Sequence, residues 1–201
     1  MRHIIFNPQP EALAALEIPE SDSITLLPAS LEEIYKSGLL DTGERAAIVA
    51  PGNSFAIMDG GIDRAFTDIY NGIQGKLQAI IANEYLGELP VGCAVSVSPL
   101  ETPFPIVIYA PTMQVPMTIT HTANVYYATL AALREAKRHH CDAIYLPILG
   151  AGTGQVPLEI AGNQMRAAIT ASMKHLCKND ITWEHAAEKH HLWHELTGIP
   201  E

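Results

Sequence analysis

An asparagine at the end of a hydrophobic run and an aspartate ten residues later, behind a glycine pair, are the side chains best placed for chemistry in this sequence. The stretch is VAPGNSFAIMDGGIDR, residues 49–64, which contains Asn53, Gly60, Gly61, Ile62 and Asp63. An amide side chain both donates and accepts, so Asn53 can orient a hydroxyl. Glycines between Asn53 and Asp63 let backbone N–H groups approach a ligand closely. A second such turn, PILGAGTGQVP (147–157), carries Gly150, Ala151, Gly152, Thr153 and Gly154. Amides from two facing turns can hold a phosphate without Lys or Arg. Neither turn has the GK[ST] ending of a P-loop or the spacing of the dinucleotide fingerprint. Each feature also has a plainer reading. Asn53 can be a turn residue bonding its own backbone, Asp63 a helix N-cap, and both loops tight turns that route the chain.

Loops of this kind work when strands and helices hold them. Short β-branched runs at His3–Phe6, Ser23–Leu27, Ala46–Ala50, Ala94–Ser98, Ile106–Ala110 and Ala143–Ile148 read as strands. Several are continuously hydrophobic, the pattern of strands covered on both faces in a parallel sheet. His3–Phe6 lacks a long crossover and is expected at a sheet edge, in either direction. Between the strands lie helical patterns. Ser30 and Glu33 form a capping box ahead of LEEIYKSGLL, with Gly38 near its end. Asp63 or a neighbour opens RAFTDIYNGIQGKLQAIIANEYLG, whose internal glycines imply a break or a second helix. Thr122–His139, Leu158–Leu176 and Trp183–Leu196 read as further helices. Alternation of strands and helices predicts an α/β layer structure with a mostly parallel sheet. One domain over residues 1–201 is expected, with 177–201 as a C-terminal helical extension packed on it.

The two loops resemble those of the macrodomains, a family that binds ADP-ribose. Their first loop reads N-A-A-N-x-x-L-x-G-G-G-G-V-D after a hydrophobic strand, and here it reads APGNSFAIMDGGID. Their second loop, P-x-x-x-T-G-x-x-G-x-P, is similar to PILGAGTGQVP, with Pro147, Gly152 and Pro157 in register. VGCAVSVSPL and IVIYAPTM look like the family's two central strands, and the likeness spans roughly residues 20–175. The resemblance implies a three-layer α/β/α fold around a mixed, mostly parallel sheet of about six strands. It implies that Asn53 bonds a hydroxyl of the distal ribose. Gly60, Gly61 and Ile62 would present amides to the diphosphate, and Gly150–Gly154 would close over it from the other side. In the hydrolytic members, the residue at the Asp63 position helps a water attack the anomeric carbon, and a nearby diphosphate should raise its pKa. The implied activity is removal of ADP-ribose from a modified substrate without a cofactor. The alternatives are a non-catalytic reader of an ADP-ribose-like signal and an interaction module that has lost the pocket.

The sequence also departs from the family pattern. The Asp that reads the adenine amino group, in a G-D-I-T sequence, has no counterpart in LLPASLEE, where Pro28-Ala29-Ser30 stand instead. Either Asp22 or Glu32 reads the base instead, or the adenine is not read in the usual way. Met58-Asp59 replaces two glycines, so Asp59 points away, pairs with Arg64, or rivals Asp63 as base. TMQVPMTITH (112–121) is expected to form a rim, with Met113, Met117 and His121 available to cover a ligand.

Composition excludes some other classes. A formal net charge of −10, with only 12 Lys and Arg, argues against a nucleic-acid binder. No apolar run is long enough to span a membrane, and the N-terminus lacks a secretory core, so a cytoplasmic location is expected. Cys93, Cys141 and Cys177 form no CxxC and read as small buried hydrophobes rather than disulfides or zinc ligands. HHLWH (190–194) mimics a zinc-protease helix, but His191 stands where the essential Glu would be, and no metal is expected. Trp183 and Trp193 are expected to anchor this helix to the body.

Overall fold

The computed structural model describes residues 1–37, 44–98 and 106–199. Six strands form one sheet: β1 Arg2–Phe6, β2 Ile24–Leu27, β3 Ala46–Asn53, β4 Val95–Val97, β5 Ile106–Met113 and β6 Ala143–Pro147. Their order is β2-β1-β6-β3-β5-β4. All neighbours are parallel except β4, which runs antiparallel to β5. Two of the sequence expectations about position are corrected. β1 is an interior strand, parallel to both β2 and β6, because the short α1 (Pro10–Ala14) carries the chain over to β2. VGCAVSVSPL supplies the antiparallel edge strand rather than a central one, and IVIYAPTM is its neighbour, while β6 and β3 hold the centre.

Two apolar layers cover the sheet, as period-two alternation dictates. Ile5, Val49, Ile108 and Leu146 pack on one face with α1, α5 (Asn124–Arg138) and α6 (Leu158–Met173). Ile4, Ile48, Val107 and Tyr145 pack on the other with α2 (Leu31–Lys36), α3 (Gly61–Ile69) and α4 (Ile73–Glu84). The result is the three-layer α/β/α arrangement with a mixed sheet.

Local chemistry sets the helix ends. Ser30 and Glu33 close a reciprocal capping box at the start of α2, as expected. Gly38, the expected end of that helix, lies outside the described residues. The glycine-rich stretch is split at Gly72, giving α3 and α4 as separate helices. At α3 the N-cap is Gly60 rather than Asp63, which stands in the first turn. The last helix, α7 (Trp183–Thr197), lays Leu192, Trp193 and Leu196 against the core. Trp183 does not anchor it: that side chain is 91 % exposed. Of the cysteines, Cys141 is buried, Cys93 is half-buried and Cys177 is exposed, so burial holds for one of the three.

Candidate functional site

The site lies where β3 and β6 part. These strands pair only from Ala46 to Ile48 on β3, although β3 runs on to Asn53. β3 then feeds α3 on one face of the sheet, whereas β6 feeds α6 on the other. Adjacent parallel strands whose helices leave to opposite faces open a crevice at their carboxyl ends. Both glycine-bearing loops hang over that crevice and line one cavity of about 280 Å³. Its wall includes Asn53, Asp59, Gly60, Gly61, Ile62 and Asp63 from the first loop. From the second it includes Gly150, Gly152, Thr153 and Gly154. The loops face each other, and Ala151 lies just outside this wall.

A larger cavity of about 870 Å³ adjoins it, sharing Ile62, Ile148 and Gly152. Its wall adds Ala151, Phe6 to Gln9 after β1, and Ser30, Leu31 and Glu32 at the start of α2. Glu32 is therefore on the site. Asp22 is not: it precedes β2 at the amino end of the sheet, opposite the loops. The segment after β1 was missed by sequence reasoning, although FNPQP is a polar turn directly following a hydrophobic strand.

Asn53 is 5 % exposed and shapes its own loop. Its Oδ1 accepts from the N–H groups of Phe55 (3.1 Å) and Ile57 (3.3 Å), and its Nδ2 donates to the Ile57 carbonyl at 2.8 Å. This is the turn role, and it leaves one amide hydrogen uncommitted while the residue still lines the cavity. From α4, Gln74 accepts from the Met58 N–H at 2.9 Å, and Gln78 donates to the Phe55 and Ala56 carbonyls. Neither glutamine is legible in the sequence, since helix polar residues usually face solvent. On the other side of Asn53 the register slips, leaving Thr112 of β5 unpaired between Pro111 and Met113. Such bulges re-aim side chains near sites.

Amides without partners gather here. Among the described residues, no acceptor takes the N–H groups of Gly60, Gly61, Ile62 and Asp63, or those of Ala151 to Gly154. The first set is the unfilled first turn of α3, where the helix dipole favours an anion. Gly61 adopts φ +57°, a conformation that would strain other residues at this turn. The second loop is held by bonds from Val156 N–H to the Gly150 carbonyl (3.1 Å) and from Ile119 N–H to the Gly154 carbonyl (2.9 Å). Of the expected rim, Met113 and Pro116 line the cavity, whereas Met117 and His121 are exposed outside it.

Asp63 is the unusual charge of the site. Its Oδ1 is buried with no hydrogen-bond partner among the described residues. Burial, and then the neighbouring Asp59 charge, push its pKa from 3.8 up to about 7. The shift thus precedes any diphosphate, the cause that sequence reasoning had invoked. Asp59 is exposed, and among the described residues no ion pair joins it to Arg64. Among the described residues, neither cavity has Lys or Arg in its wall.

With this geometry in place, the comparisons with known proteins are decisive for the family. The Macro domain model matches residues 49–165, from within β3 to the middle of α6. The chain belongs to the macro domain family. An uncharacterized protein of Aeropyrum pernix is 34 % identical over 129 residues, 63 % of this chain and 64 % of that protein. The chain thus covers a little under two thirds of that relative's length. In solved structures, the fold matches the macrodomain of Mycobacterium tuberculosis DarG with a TM-score of 0.56 at 20 % identity. That match covers 68 % of this chain and 89 % of the other. An Oceanobacillus iheyensis macrodomain mutant with ADPR matches with a TM-score of 0.56 at 18 % identity, covering 73 % and 86 %. Beyond the matched segment, α7 brings His190 and His194 together, Nε2 to Nε2 at 3.2 Å. Among the described residues, no group of three His, Cys, Asp or Glu could hold a metal ion.

Proposed function

We propose that this macro domain binds ADP-ribose or a close derivative in the crevice and hydrolyses an ADP-ribosyl bond on a modified substrate. The carrying observation is the juxtaposition of a buried carboxylate, Asp63, with two sets of unpaired amides on one cavity. The diphosphate lies between the first turn of α3 and Gly150–Gly154, where amides and the helix dipole replace basic side chains. The nucleobase extends into the larger cavity, where Glu32 is the charged residue in the wall. The distal ribose lies by Asn53, whose uncommitted amide hydrogen is available to a hydroxyl. Asp63 takes a proton from a water as the water oxygen bonds to the anomeric carbon. The bond from that carbon to the substrate breaks, and the substrate atom leaves with its electron pair and is then protonated. A base with a pKa near 7 is matched to this work.

One observation favours a second reading, a reader without chemistry. Most of the Asn53 side chain is spent on its own loop, so the ribose is gripped by few groups. A single experiment separates the two. ADP-ribose binding is measured by calorimetry, and release of ADP-ribose from a modified protein is measured for wild type and Asp63→Asn. Binding by both, with turnover by wild type reduced at least ~100-fold in the variant, is the expected result for a hydrolase with a general base. Binding without turnover makes the protein a reader, and failure to bind refutes both.

A further inference from the structure

Tyr109 sits on β5 with its side chain completely buried, on a strand whose sequence reads as pure core. Its hydroxyl nevertheless reaches the floor of the site. The O–H donates to the Asn53 carbonyl at 2.8 Å, beside the bulge that ends β3. A Cβ built on Gly52 would stand 2.2 Å from that hydroxyl oxygen and 3.0 Å from the Asp63 Oδ2. The phenol and the carboxylate therefore share the space that any larger residue at position 52 would fill. Because the phenolic proton is committed to Asn53, its lone pairs are what remain for a neighbour.

We propose that Tyr109 is a positioning residue for Asp63: its hydroxyl, admitted by the missing side chain of Gly52, fixes where the carboxyl group stands beneath the cavity and shuts water out behind it. The proposal rests on the reading of Asp63 as the functional carboxylate. With its proton held by the Asn53 carbonyl, the phenol oxygen offers only lone pairs to the nearby carboxyl group, an arrangement that favours the protonated form of Asp63. The negative charge of Asp63 in turn raises the Tyr109 pKa, after the larger effect of burial. Asp59 on its own loop is the charge that acts on Asp63, and Glu32 of α2 lines the adjoining cavity. The 147–157 loop contributes none.

The test uses Tyr109→Phe, with Gly52→Ala as a second variant that pushes on the hydroxyl from the opposite side. Tyr70→Phe serves as a control, since it also removes a buried hydroxyl, one without a partner among the described residues. The Asp63 ionisation midpoint is followed in ligand-free protein by NMR of 13C-carboxyl-labelled aspartate, alongside ADP-ribose affinity and kcat against pH. Tyr109→Phe is expected to lower the Asp63 midpoint by about one pH unit, move the acid limb of the pH–rate profile with it, and lower kcat about tenfold. ADP-ribose affinity is expected to change less than about threefold, since the hydroxyl acts on the base and not on the phosphates. Gly52→Ala should displace the midpoint as well, and Tyr70→Phe should not. A midpoint unmoved in both Tyr109→Phe and Gly52→Ala overturns the proposal, whatever the turnover. If wild type proves to have no turnover, the hydrolytic reading fails while the midpoint still decides the role of Tyr109. If Tyr109→Phe does not fold, Gly52→Ala alone decides it by the same midpoint.

Discussion

Asp63 holds its proton to about pH 7 because its carboxyl group is buried beside Asp59. That perturbation carries a stability consequence with a definite sign. In the unfolded chain the group ionises near 3.8, in the folded protein near 7. Between those values the folded state binds the extra proton, so stability falls as pH rises through this window. Above about pH 7 the carboxylate is charged in both states and the full penalty of burying it remains. Asp63→Asn removes the charge, so it should be more stabilising at pH 8 than at pH 4, by on the order of 3 kcal/mol. Denaturant melts of the two proteins at both pH values check this; a pH-independent difference would contradict the buried charge. Turnover follows the opposite course. A base must be ionised, so wild-type kcat/KM should rise with pH and level off above about 7.

The glycine loops and the helices that brace them respond differently to substitution. Gly152 lies in the walls of both cavities, and a Cβ there would meet no atom within 4 Å. Gly152→Val should therefore leave the melting temperature within about 2 °C of wild type while weakening ADP-ribose at least ~10-fold, because the new side chain projects into the ligand's path. Calorimetry and a thermal melt on the same sample separate the two effects. Bracing of the opposite kind comes from Gln164 of α6, which is fully buried. Its Oε1 accepts from the Tyr126 N–H at 3.0 Å, and its Nε2 donates to the carbonyls of Thr122 (2.7 Å) and Leu196 (3.1 Å). One side chain thus joins α5, α6 and α7. Gln164→Ala orphans three backbone groups and should destabilise by about 3 kcal/mol, measured by denaturant unfolding.

For the molecule as a whole, the acidic character poses the question of how an anion binds. With a net charge of −10 and no Lys or Arg among the described residues of either cavity wall, long-range repulsion works against a diphosphate. Short-range amide donors then have to supply the affinity, and binding should strengthen as salt screens the repulsion. Calorimetric titration at low and high salt reads this directly, and the reverse dependence would point to a basic contact. A ligand at 100 times its dissociation constant should stabilise the fold by about 2.7 kcal/mol, raising the melting temperature by roughly 5–10 °C for a chain of this size. Among the described residues, no helix is long and apolar enough to cross a membrane.

Hydrophobic runs, caps and glycine turns are local properties, and the sequence by itself determined them. All six strands, the capping box at Ser30 and the helix break at Gly72 follow from neighbours in the chain. So does the pairing of Asn53 with Asp63 along one loop. Strand order was not legible in the same way, because the position of β1 between β2 and β6, and of β4 at the edge, depends on contacts between distant segments. Nor did any local pattern mark Tyr109, which looks like core until Gly52 leaves room for its hydroxyl. The pKa of Asp63 belongs to the same class. Only the tertiary structure decided it, since desolvation is a property of everything packed around a group and not of the residues beside it in the chain.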